Sequence, residues 1–241
     1  MIKFENGEIV GWEAAIRGMR NPMNSWEKSD SFPCIGCEGR EPGQECERYN
    51  DVIGPNDLDL MKRLRNAGTD HRKFMRMITV YMDVVAPLYW WKEFDTYKVG
   101  TVANSCSTMH KIQAKEFTLD DFSHEHLLDG KGFQFAYDDS DREIDFRLRL
   151  ASHQLLELTI NTLNYYRKVF LETNDKKYWW QMIQLLPSSY NQRRSIMLNY
   201  EVLANIYKSR RNHKLDEWRA FCEWIENLPY AELITGKIEE N

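Results

Sequence analysis

The chain is 241 residues long, 42% of them apolar, with a formal net charge of −5. That length supports one large domain with its own core, while the acidic balance excludes a general affinity for nucleic-acid polymers, which needs clustered lysine and arginine. No apolar run reaches the ~20 residues of a membrane span, and the N-terminus lacks the basic-then-apolar layout of a secretory signal. A cytoplasmic protein without membrane or nucleic-acid polymer partners is expected.

Residues 8–20 (EIVGWEAAIRGMR) predict a short strand and a helical turn, followed by an irregular loop, NPMNSWEKSDSFPC. Arg17 and Arg20 stand beside that loop, whose side-chain donors and acceptors either line a ligand site or satisfy their own backbone. Cys34, Cys37 and Cys46 come next, in PCIGCEGREPGQEC. The C-x-x-C pair has metal-ligand spacing, but a tetrahedral zinc site takes four ligands and three cysteines are local. A Gly- and Pro-rich surface loop is the simpler reading, and no metal is assigned. An odd count of five cysteines in a reducing compartment argues against a disulfide framework.

Pro55-Asn56-Asp57 opens a helix with Leu58, Met61 and Leu64 at helical spacing and Gly68 as its stop. Met77–Val85 (MITVYMDVV) reads as a buried strand, and Pro87 suits the first turn of the next helix, where a missing N–H costs nothing. From Pro87 to Thr108 the chain runs PLYWWKEFDTYKVGTVANSCST, an aromatic helix-like stretch that passes into a loop of Thr, Asn, Ser and Cys. Many neutral donors and acceptors with few charges suit a polar heterocycle better than a hydrocarbon. Cys106 lies in that loop, but with no histidine base nearer in sequence than His110 it reads as a packed thiol.

Residues 112–140 carry no sustained period, and His124 and His126 read as surface groups. Asp141 to Asn174 is the longest periodic segment, with Ile144, Leu148, Ala151, Leu155 and Leu158 predicted on one apolar helical face. A helix KKYWWQMIQLL ends at Pro187, SYNQRRSIMLN is a strand with Ile196 and Leu198 on one face, and helices near YEVLANIYKSRR and KLDEWRAFCEWIEN follow. Arg193-Arg194 and Lys208-Ser209-Arg210-Arg211 each read either as a solvated face or as a hold for one phosphate of a small nucleotide. The sum is an α+β, helix-rich single domain over residues 1–241 with a small mixed or antiparallel sheet. Residues 1–55 form an N-terminal strand and loop extension, and residues 56–241 the core.

This order of elements resembles the flavin-dependent thymidylate synthase (thymidylate synthase-complementing) superfamily. In that family a strand leads into P-L-F-x-x-R-Q-W and then R-H-R-x-x-S-x-N-E-x-S-x-R. The matching residues are Pro87, Leu88, Tyr89, Lys92, Glu93 and Phe94, then Thr96-Tyr97-Lys98, Thr101 and Asn104-Ser105-Cys106-Ser107-Thr108. Ungapped, Thr101 takes the serine position and Asn104 the glutamate; with one insertion, Asn104 matches the asparagine and Ser107 the second serine. Leu186-Pro187, Tyr190, Asn199-Tyr200-Glu201-Val202-Leu203 and Arg210 follow the family's later L-P, Tyr-Thr and N-A-R-S-L patterns. The family's Arg-His-Arg is Thr96-Tyr97-Lys98 here, its closing arginine is Thr108 or Met109, and the arginine of N-A-R is Glu201. Hydroxyl or carboxylate in place of guanidinium removes bidentate phosphate recognition, and lysine does not restore the fork.

The resemblance implies an FAD-dependent, methyltransferase-type flavoprotein that transfers a one-carbon unit from folate to C5 of dUMP or a related pyrimidine nucleotide. It also implies a homotetramer with sites between subunits. Nucleotide and cofactor would be bound by Arg17, Arg20, Tyr97, Lys98, Thr101, Asn104, Ser105, Ser107, Arg193, Arg194, Asn199 and Arg210, with Trp90 or Trp91 stacking on a ring. No catalytic side chain is assigned, because in such enzymes the cofactor carries the chemistry. The departures open an alternative, a non-catalytic nucleotide-binding or nucleotide-sequestering protein that has lost the flavin contacts. A structural oligomer with an aromatic interface is the third reading.

Overall fold

The computed structural model describes residues 2–32, 53–129, 133–135 and 148–236. Cys34, Cys37, Cys46 and Ile144 lie outside the described residues. In chain order the elements are β1 (Lys3–Val10), α1 (Trp12–Arg20), α2 (Pro55–Asn66), β2 (Thr79–Pro87), α3 (Leu88–Phe94), β3 (Val102–Ser105), α4 (Thr108–Lys111), β4 (Phe133–Phe135), β5 (Leu148–Leu150), α5 (Ser152–Thr173), α6 (Lys176–Leu185), β6 (Asn191–Asn199), α7 (Tyr200–Arg210), α8 (Asp216–Glu226) and α9 (Glu232–Thr235). A 3₁₀ segment, Arg72–Met77, leads into β2. The fold is helix-rich with a small antiparallel sheet of strand order β1-β2-β6-β3, while β4 pairs with β5 through Phe133 opposite Leu150. Among the described residues no helix is long and apolar enough to cross a membrane, and no group of three or more His, Cys, Asp and Glu side chains could hold a metal ion.

The chain divides into two compact units, each discontinuous in sequence. The larger comprises Ile2–Val84, Glu93–Asn104 and the described residues from Arg194 onward; the smaller comprises Val85–Lys92 and Ser105–Arg193.

In the larger unit, β2 alternates as a half-buried strand should: Val80, Met82 and Val84 are buried and Tyr81 is exposed. Ile196 and Leu198 of β6 are buried together with Leu203 and Ile206 of α7 and Trp218, Phe221 and Ile225 of α8. Trp12 meets Tyr200 edge-on, with ring centroids 5.1 Å apart. The N-terminal segment belongs to this body. β1 lies in the same sheet as β2, and Gly11, at φ +97, allows the chain to turn into α1 where a Cβ would stand 2.1 Å from the Met77 carbonyl oxygen. Arg20 is buried in an ion pair with Asp57 of α2 at 2.6 Å.

The smaller unit is built on the α5–α6 hairpin. Ile112, Phe117, Phe122, Leu156, Ile160, Leu163 and Met182 form its core, and Asn164 both accepts from the Phe117 N–H and donates to its carbonyl, each at 2.8 Å.

Three expectations are corrected. The helix begins at Ser152, with Leu148 already in β5, and its buried stripe is Leu156, Ile160 and Leu163. Leu155 and Leu158 are 54% and 52% exposed. The helix is apolar on two faces, so the spacing of its leucines alone does not say which face is buried. Pro87 ends β2 and does not open α3. The N–H groups of Leu88 and Tyr89 bond the carbonyls of Tyr190 and Ser188, so strand-like pairing continues past the proline into the first turn of the helix. Finally, part of the small-polar loop is a strand, β3, at the edge of the sheet.

Candidate functional site

In the larger unit the segment after α3 turns back at Gly100, whose φ of +75 favours glycine. A Cβ there would approach the Asn199 side-chain nitrogen to 2.9 Å. Asn199 itself caps α7: its Oδ1 accepts from the Val202 N–H at 3.1 Å. The turn is closed by Thr101, whose hydroxyl donates to the Tyr97 carbonyl. A positive-φ glycine and side-chain capping thus seat the 97–101 turn against the start of α7.

The other end of α7 reaches the same segment. Arg210 Nε donates to the Tyr97 hydroxyl at 2.9 Å, and Nη1 donates to Glu93 at 2.6 Å. The guanidinium lies over the Trp218 ring at 4.7 Å from its centroid, and Trp218 Nε1 donates to the same Glu93 oxygen at 2.9 Å. His213 Nδ1 accepts from the Leu215 N–H, and its Nε2 stands 3.0 Å from Arg210 Nη1 and 3.4 Å from Glu93. Glu93 is therefore a shared acceptor, and Arg210 a charge held by hydrogen bonds on its edge and an aromatic face beneath it. A second guanidinium, Arg194 on β6, pairs with Asp95 at 2.8 Å. That side chain is only 15% exposed while Asp95 is 51% exposed, so the carboxylate sits on the solvent side of the pair.

Of the twelve predicted binding residues, Tyr97, Thr101, Asn199 and Arg210 are brought together here. Arg194 is joined to the same 93–104 segment, and Lys98 and Asn104 are exposed along it. Ser105, Ser107 and Arg193 belong to the smaller unit. There the Cys106 N–H donates to the Arg193 carbonyl at 2.9 Å, Gln192 Nε2 donates to the Cys106 carbonyl at 2.9 Å, and the Ser107 hydroxyl accepts from the His110 N–H to cap α4. The Cys106 thiol is exposed, which corrects the expectation of a packed one.

Arg17 and Arg20 are engaged elsewhere. Arg17 is exposed and pairs with Glu13 one turn away. Arg20 directs its guanidinium to Asp57 and to the carbonyls of Ser25 and Lys28, so its donors are committed to the chain. Trp90 and Trp91 are fully buried, and neither ring is offered to a ligand.

Glu201, which stands where the resembling family has an arginine, is 7% exposed and held by Arg72 and Arg76. Burial pushes its carboxyl up, but the hydrogen bond and charge of Arg76, with those of Arg72, bring it below the usual carboxylate range. Sequence reasoning missed Glu93, Asp95, His213 and Trp218 as partners. Glu93 and Arg210 are 117 positions apart, so no local pattern links them.

No protein-family model matches the sequence, and no curated protein matches it. The chain nevertheless has the fold of the flavin-dependent thymidylate synthases. The thymidylate synthase ThyX from Helicobacter pylori, complexed with FAD and dUMP, gives a TM-score of 0.63 at 15% identity, covering 98% of this chain and 100% of that one. The UMP/dUMP methylase PolB from Streptomyces cacaoi, bound with 5-Br UMP, gives 0.55 at 12% identity, covering 94% and 87%. At these identities the likeness is one of fold.

Proposed function

We propose that this chain is a thymidylate-synthase-like protein that binds a pyrimidine nucleotide and acts at its C5, transferring a one-carbon unit to dUMP or a related nucleotide. The observation that carries this reading is the convergence, within the larger unit, of Arg194 and Arg210 on segment 93–104, where they pair with Asp95 and Glu93 beside the neutral groups of Tyr97, Thr101 and Asn104. Guanidinium groups beside exposed amide and hydroxyl groups match the two halves of a nucleotide, anionic phosphate and polar ring. The ligands of ThyX and PolB make uridylates the first nucleotides to test.

The donor set also suits a flavin nucleotide, with Lys98 and Arg194 as cations and Asn104 and Thr101 as neutral groups. When bound, a flavin supplies the redox step that accompanies one-carbon transfer from a folate. The chain's own groups then bind and orient. Arg194 exchanges its exposed carboxylate partner for phosphate, Lys98 adds charge, and Arg210 fixes the Tyr97 hydroxyl. Ser105, Ser107 and Arg193 stay in the proposal as nucleotide contacts on the resemblance alone. A homotetramer, a folate donor and a cytoplasmic location complete the proposal and rest on the resemblance alone.

Two observations favour a second reading, a non-catalytic nucleotide-binding protein. Thr96-Tyr97-Lys98 stands in place of Arg-His-Arg, and Glu201 in place of an arginine is neutralised by Arg72 and Arg76. The absorbance spectrum of purified protein, with mass spectrometry of whatever heat releases, separates the two. A yellow protein that bleaches on reduction and binds dUMP or UMP supports the enzyme. A colourless protein that returns a nucleotide intact supports the binder. Failure to bind any uridylate, with or without added flavin, refutes both.

A further inference from the structure

The basic group Lys208-Ser209-Arg210-Arg211 looks like one patch in sequence, but the α7 helix and the turn after it divide it. Arg210 turns to Glu93 and Tyr97, whereas Lys208 and Arg211 line a separate cavity of about 150 Å³ in the larger unit. Arg65 of α2 and Arg72 complete a set of four cationic side chains around it, with Asn205 and Ile234 also in the wall. That space is roughly ten times the ~15 Å³ that admits a single water, ample for a tetrahedral anion.

Of the four cations, Arg72 alone has a carboxylate partner among the described residues, and the others are held by neutral groups or by none. Arg65 donates to the carbonyls of Leu233 and Ile234, both at 3.3 Å, and to the Asn66 side chain at 2.9 Å. Gly236, at φ +70, packs so closely that a Cβ would fall 2.2 Å from Arg65 Nη2. Arg72 reaches Asn205 Oδ1 at 3.3 Å and Glu201 at 3.4 Å, but that carboxylate is shared with Arg76. Among the described residues Lys208 and Arg211 have no ion-pair partner. Burial lowers the Arg65 pKa, and the charge of Arg72 lowers it further: both guanidinium groups face one cavity, whose lining among the described residues includes no carboxylate.

We propose that this cavity is an anion site that takes a phosphate group, distinct from the Arg210 cluster. Fixed forks from Arg65 and Arg72 give directional charge-assisted hydrogen bonds, and Lys208 and Arg211 close over the outer oxygens. Occupation relieves the like-charge opposition of Arg65 and Arg72. The phosphate is either free or the phosphoryl end of a nucleotide, since both present the same oxygens.

The test is isothermal titration of the full chain with inorganic phosphate and, separately, with dUMP, on wild type and on the double variant Lys208→Glu/Arg211→Glu. Both residues are exposed, so the variant is expected to fold, and circular dichroism checks it. The milder Lys208→Gln/Arg211→Gln pair serves if it does not. The expected result is phosphate binding weakened at least tenfold in the variant. If dUMP affinity falls in parallel and phosphate competes with dUMP, the phosphate is the nucleotide's own. If dUMP affinity is unchanged, the phosphate is a separate ligand. Wild type that binds no phosphate, or a variant that binds it as wild type does, overturns the proposal. A colourless protein that still binds phosphate here would sink the flavin reading and leave this site standing.

Discussion

Replacing Asp57 by asparagine is expected to destabilise the larger unit by about 3–5 kcal/mol, the range for removing one member of a buried ion pair. The two side chains are 0% and 5% exposed, so the Arg20 charge would be stranded without water. Asp57 also accepts from the hydroxyls of Ser29 and Ser31 and from the N–H groups of Asp30 and Ser31. An asparagine amide would turn its own N–H groups toward these donors. At roughly 2–4 °C per kcal/mol for a chain of this size, the melting temperature should fall by about 6–20 °C. Thermal and urea unfolding followed by circular dichroism read the change. Glu13→Ala, which breaks the exposed pair with Arg17, is the control and should shift stability by less than about 0.5 kcal/mol. An Asp57→Asn loss no larger than that control refutes the reasoning. The pair also carries a pH signature. Burial raises the Asp57 carboxyl, yet hydrogen bonds from Ser29, Ser31 and Arg20, with the Arg20 charge, hold it below its ordinary value. A depressed folded value means that the stabilisation is complete above the unfolded pKa of about 3.9 and drains away as pH falls through the folded one. Wild type should therefore lose stability below about pH 4, and Asp57→Asn should lose less.

Arg194→Gln is expected to weaken uridylate binding at least tenfold; fluorescence titration with dUMP checks it on protein shown by circular dichroism to be folded, and unchanged affinity removes Arg194 from the site. Gly100→Ala should cost about 1–3 kcal/mol, because a Cβ meets both a positive φ and the Asn199 amide, and urea midpoints measure it. Leu163→Ala should cost about 2–5 kcal/mol and Leu155→Ala under about 1 kcal/mol, reversing the order that the leucine spacing suggests.

Much of the fold is legible because burial and period agree. The strand over Asn191–Asn199 shows its inward residues at Ile196 and Leu198, and α2 announces itself through Pro55 and its run to Gly68. Legibility fails where apolar residues serve two faces, as along α5, or where local polarity looks like a loop but a sheet edge recruits it, as at β3. The candidate site was readable in kind and only partly in membership. Arg194 and Arg210 were visible as charges, but the carboxylates that fix them, Asp95 and Glu93, lie about a hundred positions earlier. Arg20 illustrates the converse: a charged residue beside a polar loop reads as ligand-facing until its buried partner Asp57 is known.

The contact between Gly100 and Asn199 makes the turn and the helix start one mechanical part. Asn199 uses its oxygen to cap the start of α7, and its nitrogen lies where a Cβ on Gly100 would crowd it, so the turn and the cap have little room to move independently. A ligand that shifted this turn through Lys98 would therefore press on the first coil of α7, which bears Glu201. Slowed deuterium uptake at the Val202 amide would register that pressure from inside the protein.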